Sequence, residues 1–308
     1  MNSGRLKYFL AAVISVSMWG FFSIPLRNLQ EYPSIDILHY RIFVSLIITW
    51  LIILVFKKKD LRNDIAFIKS KSKPERKKIL LLTLGAGVLI TGNWFSFIYA
   101  VNHVSLTSAA FAYMVCPLIT AMGGFFILKE HLSPTKLVAI GIALVSILIL
   151  AQGSLRDVLW SVFIASLYAF YLIIQRVVNN VDKLNMLGVQ LLISFLIMFP
   201  LFLYDFSAFQ TDLNFWINIL IISVVFTIIP LFLSLYALVG LPSSTLGIII
   251  YLNPIVAFAV AFLYFNETAN SFQVYAYALL AAAVVIFNWG IIGSLFQKGY
   301  NKLNPSDI

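Results

Sequence analysis

Charge is scarce in this chain. Charged residues make up 11% of 308 positions and hydrophobic ones 61%, whereas a soluble domain is about a quarter charged and under half apolar. With a mean hydropathy of +0.97, a water-soluble fold is excluded. The apolar residues come in runs near twenty long rather than in alternation, which excludes an outer-membrane barrel. A single cysteine, Cys116, excludes an internal disulfide and reads as a small buried apolar residue before Pro117. The three histidines, His39, His103 and His131, lie at different run ends without metal-ligand spacing. No metal, no cofactor and no enzymatic centre is expected. All twelve acidic residues fall in loops or at run ends, so the intramembrane carboxylate relay of many proton-driven pumps is missing.

What remains is an integral membrane protein of the all-α class. Ten spans are expected, roughly at 6–27, 34–56, 79–101, 106–128, 134–152, 157–178, 185–204, 215–239, 243–265 and 272–295. The net charge of +9 is concentrated: ten of the 21 Lys/Arg lie between Lys57 and Lys78. That segment reads as a cytoplasmic loop, 57–78, facing anionic lipid rather than nucleic acid. With the N-terminus inside, eighteen Lys/Arg fall on the cytoplasmic side and only Arg27 and Arg156 on the other, with Arg41 inside a span. This positive-inside split puts both termini in the cytoplasm and the protein in the inner or plasma membrane. Arg5 and Lys7 before the first run resemble a signal peptide, but that run is too long for one and reads as the first span.

The chain repeats itself. Tyr99, Ala100, Thr107, Pro117 and Glu130 match Tyr236, Ala237, Ser244, Pro254 and Glu267 at a constant offset of 137, and Ser17, Phe21 and Arg27 match Ser166, Phe170 and Arg176 at 149. Five spans per half make the halves inverted across the membrane: residues 1–152 and residues 153–308, the second with a short cytoplasmic tail. Inverted repeats place a site near the midplane, at their interface. Pro117 and Pro254 each remove an N–H and are read as helix breaks, with Pro25 and Pro230 bending the first and eighth helices. The expected substrate-binding residues are Trp19, Arg41, Asn93, Tyr113, Tyr168, Tyr251 and Asn253, an aromatic lining with a few polar groups. Arg41 suits an anionic group such as a carboxylate, or alternatively snorkels outward or pairs with Asp36 or Glu31. His39, Glu130 and Glu267 are the candidates for a proton or counter-charge role; the two glutamates read equally as groups that fix helix ends.

Trp19-Gly20 with Pro25, and Pro117…Leu128-Lys129-Glu130 with Leu132-Ser133, resemble the EamA-domain branch of the drug/metabolite transporter superfamily. More narrowly, His39-Tyr40-Arg41, Asn93-Trp94…Tyr99-Ala100-Val101-Asn102 and Ser244-Thr245-Leu246-Gly247 resemble its RarD-like permeases. The sequence departs from that pattern at Tyr113–Pro117, and keeps an Asn-Pro at Asn253-Pro254. The resemblance implies a central cavity with alternating access around it. The function expected is that of a secondary transporter moving a small metabolite, amino-acid-like or amphipathic compound, by export or exchange, as monomer or homodimer. A non-transporting scaffold or sensor, or a proton-coupled drug efflux pump, is the alternative; a bundle without a midplane cavity would favour the scaffold.

Overall fold

The computed structural model describes residues 3–129, 133–178, 181–205, 210–240, 249, 252–268, 270–287 and 289, and among these there is no strand. The chain begins with α1 (Ser3–Gly20) and a short α2 (Ser23–Arg27), then α3 (Ser34–Phe56), α4 (Lys58–Ser70), α5 (Lys73–His103) and α6 (Leu106–Leu128). It continues with α7 (Pro134–Gly153), α8 (Leu155–Val177), α9 (Lys183–Asp205) and α10 (Leu213–Ser223), which passes through a π-helical turn (Val224–Ile228) into α11 (Ile229–Gly240). Last come α12 (Leu252–Ala259), with a second π turn (Val260–Tyr264), and α13 (Ser271–Phe287). Among the described residues eight helical segments are long and apolar enough to cross a membrane, and Leu252–Tyr264 and Ser271–Phe287 are two shorter apolar ones.

The surface is that of a protein solvated by hydrocarbon. Leu148 is 65% exposed, Leu196 61% and Leu263 83%, part of an apolar girdle far larger than a soluble surface carries. Hydroxyls are turned inward instead, and bond across helices: Thr91 Oγ1 donates to Ser194 Oγ at 2.6 Å, Ser146 Oγ to the Ala276 carbonyl at 2.6 Å, and Ser161 Oγ to the Ser108 carbonyl at 2.8 Å. Small residues allow the backbones this close. At Gly20 any side chain would strike Val256 and crowd the Asn253 carbonyl, so α1 and α12 touch only because that position has no Cβ.

Helix neighbours follow a simple scheme. α1 packs on α11 and α12, while α8 packs on α5 and α6; α3 lies against α9, α6 against α12, and α7 against α13. Exchanging the halves maps each pairing onto another or onto itself. The two offsets recur in detail. Lys129 and Asn266, 137 apart, are the two non-glycine residues with positive φ among the described residues, at 57° and 52°. Asn93 Nδ2 donates to the Ile164 carbonyl at 3.0 Å, and Ser15 Oγ donates to the Pro230 carbonyl at 2.7 Å. Residues 93 and 230 correspond at offset 137, and 15 and 164 at offset 149, so one bridge is made twice with donor and acceptor exchanged.

Two expectations need correcting. The segment 57–78 is not an open loop: α4 occupies most of it. Every third or fourth residue on one side of α4 is apolar or acidic, and that side packs: Leu61 joins Ile53, Leu184 and Leu187, and Phe67 joins Val178, Val181 and Met186. A capping box then restarts the chain, with Ser72 and Glu75 bonded reciprocally and Pro74 in the first turn, so α5 begins at Lys73 rather than 79. Nor does Pro117 break its helix, since α6 runs through it from Leu106 to Leu128. A proline removes one N–H, and a long, well-packed helix survives that loss. The backbone instead departs from α geometry at the turn before Pro25 and at the π turn before Pro230. Pro254 lies in α12, and residues 250 and 251 just before that helix are outside the described residues.

Pro230 cannot offer the usual N–H to the Phe226 carbonyl, and Trp19 Nε1 on α1 donates to that oxygen at 3.1 Å. Trp19→Phe removes this donor and is expected to lower stability by about 1 kcal/mol, read as a fall in the thermal midpoint of the detergent-solubilised protein. In a Pro230→Ala background the same change should cost less, because alanine in place of the proline restores the N–H. Equal costs in the two backgrounds would show that the bond carries no coupling.

Candidate functional site

Arg41 is the residue about which the interior is arranged. It lies two turns into α3 and is only 6% exposed. Phe22, held in the turn between α1 and α2, and Trp94 on α5 both present ring faces to the guanidinium, at 4.9 and 4.8 Å from their centroids. Nε donates to Thr227 Oγ1 at 3.1 Å. Thr227 in turn donates to the Ile222 carbonyl five residues back, inside the π turn, at 2.9 Å, and Ser223 Oγ donates to the Arg41 carbonyl at 3.2 Å. The π turn therefore aims a hydroxyl at the arginine.

Among the described residues no carboxylate pairs with Arg41, and its two terminal amino groups have no hydrogen-bond partner. Neither Glu31 nor Asp36 is among the ion pairs. A buried guanidinium held by one hydroxyl and two ring faces keeps a free fork of donors suited to a planar oxyanion. From Phe22 an aromatic arc runs to Phe97 (5.7 Å), Tyr113 (5.5 Å), Tyr168 (6.0 Å) and Tyr171 (5.7 Å), and ends where the Tyr171 hydroxyl donates to Gln190 at 3.3 Å. Phe22 and Phe97 link the Arg41 guanidinium to Tyr113. The structure thus gathers Arg41 and Tyr113, with Tyr168 next along the arc. Trp19 and Asn93 bond across helices beside them.

Asn253 is buried on α12 against α1. Tyr251, Glu130 and the Ser244–Gly247 motif lie outside the described residues. His39, two residues before Arg41, is instead stacked on Phe202 at 3.8 Å and 6° and also meets Phe195 and Phe199, with no partner at Nδ1 among the described residues. Phe22 and Thr227 were not singled out from sequence. A threonine three residues before a mid-span proline was the available signal for the second. Two clefts among the described residues flank the start of α5, and neither is lined by Arg41.

Ion pairs tie the two ends of the bundle. At one end Arg27 pairs with Glu267, Tyr32 donates to Asp212 at 2.7 Å, and Arg27 also lies 4.9 Å from the Phe265 ring. Glu267 thus fixes the end of one helix to another. At the other end Lys57 Nζ reaches Asp182 at 2.6 Å and Asp60 at 3.4 Å, while Asp64 accepts from Asn185 Nδ2 at 2.6 Å. These contacts strap α4 to the start of α9. Burial is the largest single effect and by itself would lower Lys57 and raise Asp182. The hydrogen bond and charge between them, joined by Asp60 at Lys57 and by the Asn185 and Leu184 N–H groups at Asp182, together outweigh it. Lys57 therefore titrates above its ordinary value and Asp182 below.

The comparison with known proteins follows the same two-part plan. The profile of the EamA-like transporter family matches residues 6–152 and again residues 156–289. The chain belongs to the EamA-like transporter family. Among its relatives, the uncharacterized transporter YojE of Bacillus subtilis is 28% identical over 291 residues, covering 92% of this chain and 94% of that one. Protein RarD of Streptomyces exfoliatus is 28% identical over 276 residues, 88% and 85% of the two chains, and protein RarD of Escherichia coli 24% over 283 residues, 90% and 92%. This family member is therefore RarD-like over nearly its whole length. A solved structure described only as "Crystal structure of protein" shares the fold, with a TM-score of 0.62 at 12% identity, covering 92% of this chain and 96% of that one.

The Lys57–Asp182 strap has a defined pH window. Because the folded pKa of Asp182 is depressed, its contribution is full above the ordinary value of 3.8 and is lost as pH falls through the folded value. Asp182→Asn should lower the thermal midpoint at pH 7, and the difference from the parent should shrink below about pH 4. A difference independent of pH would deny the pair its role.

Proposed function

We propose that this EamA-family protein is a secondary transporter whose substrate carries a carboxylate or similar anionic group, bound at Arg41. The observation that carries the reading is a buried guanidinium without a carboxylate partner among the described residues, in a protein whose relatives are named as transporters. An unpaired charge at membrane depth is costly unless something answers it, and a substrate oxyanion does so each time the site is filled. In this reading the aromatic arc through Tyr113 and Tyr168, with Trp19, Asn93 and Asn253, lines the rest of the site and favours a small metabolite, amino-acid-like or amphipathic compound.

Ten spans in two inverted halves, with both termini cytoplasmic, form the frame. Three observations support that reading: helix ends meet alternately at the Arg27 end and the Lys57 end, the neighbour scheme survives exchange of the halves, and the Asn93 and Ser15 bridges are equivalent. Alternating access then consists of releasing one set of end contacts while the other holds. Export or exchange fits the lack of an intramembrane carboxylate. Proton coupling through His39 is the competing mechanism, favoured by its buried Nδ1, which has no partner among the described residues.

The test uses purified protein and a panel of amino acids and small organic carboxylates, each beside its neutral amide. Carboxylates that bind should raise the thermal midpoint of the parent and drive counterflow in proteoliposomes. Arg41→Ala should lose both, with affinity reduced roughly tenfold to a hundredfold, and Arg41→Lys should recover only part. Equal response of parent and Arg41→Ala would remove Arg41 from the site. Counterflow that persists with a protonophore supports exchange; its loss in the parent, together with its persistence in His39→Gln, would instead assign coupling to His39.

A further inference from the structure

The outward side of the first three turns of α5 has no role in the site described above. Lys73, Arg76 and Lys77 stand together there, directly above Leu80, Leu81 and Leu84, and the six line one shallow cleft. The positions fall three, four, seven, eight and eleven residues after Lys73, which places them on one helix face. The leucines are 56%, 56% and 49% exposed. None of the three cations forms an ion pair among the described residues. The nearest acid in sequence, Glu75, is held by the Ser72 N–H at 3.2 Å and its hydroxyl at 2.8 Å. Cations crowded at the positive end of a helix, with like charges four residues apart, are unfavourable by themselves.

Depth decides what can relieve them. At 31 residues, α5 is about 46 Å long, well beyond the roughly 30 Å of a hydrocarbon core. Its apolar run starts at Ile79. Lys73, Arg76 and Lys77 therefore stand at headgroup level, and Leu80, Leu81 and Leu84 at the top of the acyl layer. A molecule that meets both halves of the cleft has an anionic phosphate above and a hydrocarbon chain below.

We propose that this face of α5 is a binding site for an anionic phospholipid, with Lys73, Arg76 and Lys77 holding the phosphate and Leu80, Leu81 and Leu84 receiving an acyl chain. α4 carries a comparable set of cations at Lys58, Lys59 and Arg62, without a row of exposed leucines beneath them. The site therefore differs from diffuse attraction of a basic segment to a negative surface, and α4 provides the control.

The experiment measures binding of fluorescent dioleoyl phosphatidylglycerol and of the matching phosphatidylcholine to the full-length protein in neutral detergent, at two ionic strengths. The parent should prefer phosphatidylglycerol, and the preference should fall with salt. Removing cations from the site should cost roughly fivefold for each one lost, so the triple variant K73Q/R76Q/K77Q should show little preference. The α4 variant K58Q/K59Q/R62Q should keep it. Arg76→Gln alone, with thermal unfolding recorded in phosphatidylcholine, gives the same answer should the triple variant fold poorly. Dihexanoyl phosphatidylglycerol should bind more weakly than the dioleoyl form. Equal loss in the two triple variants would reduce the effect to diffuse electrostatics. Full competition by soluble glycerol phosphate would make the site one for a free phosphate rather than a lipid. Either result overturns the proposal.

Discussion

In water, burial of apolar surface holds helices together; in hydrocarbon that force is absent between helices, and polar groups must find partners within the protein. The bridges from Ser15 and Asn93 meet this constraint at equivalent places, joining α1 to α11 and α8 to α5. The other parts of the interior are laid out around them. α11 is fixed against α1 just past the point where Pro230 interrupts the regular ladder, and Trp19 occupies the oxygen that proline leaves without its usual donor. The π turn that precedes the proline then delivers Thr227 to Arg41.

Arg41 is a buried cation that no carboxylate answers among the described residues, and the contrast with Arg27 is instructive. Both are arginines near the same end of the bundle. Arg27 has Glu267 and the Phe265 ring, so its charge is answered within the protein. Arg41 has rings and a hydroxyl but no anion among the described residues. Among buried charges, one that is incompletely answered is the stronger candidate for ligand contact.

Much of this was legible in the sequence for physical reasons. Membrane residence and helical class follow from composition and run length, which tertiary contacts do not alter. Arg41 was visible because guanidinium groups are rare within apolar runs. Its neighbours Phe22 and Thr227 were not, since a phenylalanine among 27 and a threonine among many hydroxyls carry no distinguishing local signal. α4 was misread because ten cations in 57–78 mask the alternation of Leu61, Asp64, Phe67 and Ile68 along one side. The partner of Glu267 lies 240 residues away, beyond any local pattern. Pro117 and Pro230 look alike in sequence, yet only the second sits beside a π turn, because what surrounds a proline decides whether its helix bends.

The π turn between α10 and α11 also changes how the helix is apportioned among its neighbours. Ser223, Thr227, Pro230 and Ser234 would share a single stripe on an unbroken α-helix, where each residue advances the azimuth by about 100°. The extra residue absorbed by the wider turn rotates the later part of that stripe by nearly one residue's worth of angle. Ser223 and Thr227 consequently address α3, through the carbonyl and guanidinium of Arg41, while the Pro230 carbonyl and Ser234 address Ser15 on α1. One row of polar side chains is thereby divided between two clients, a helix that bears the unanswered charge and a helix that anchors it.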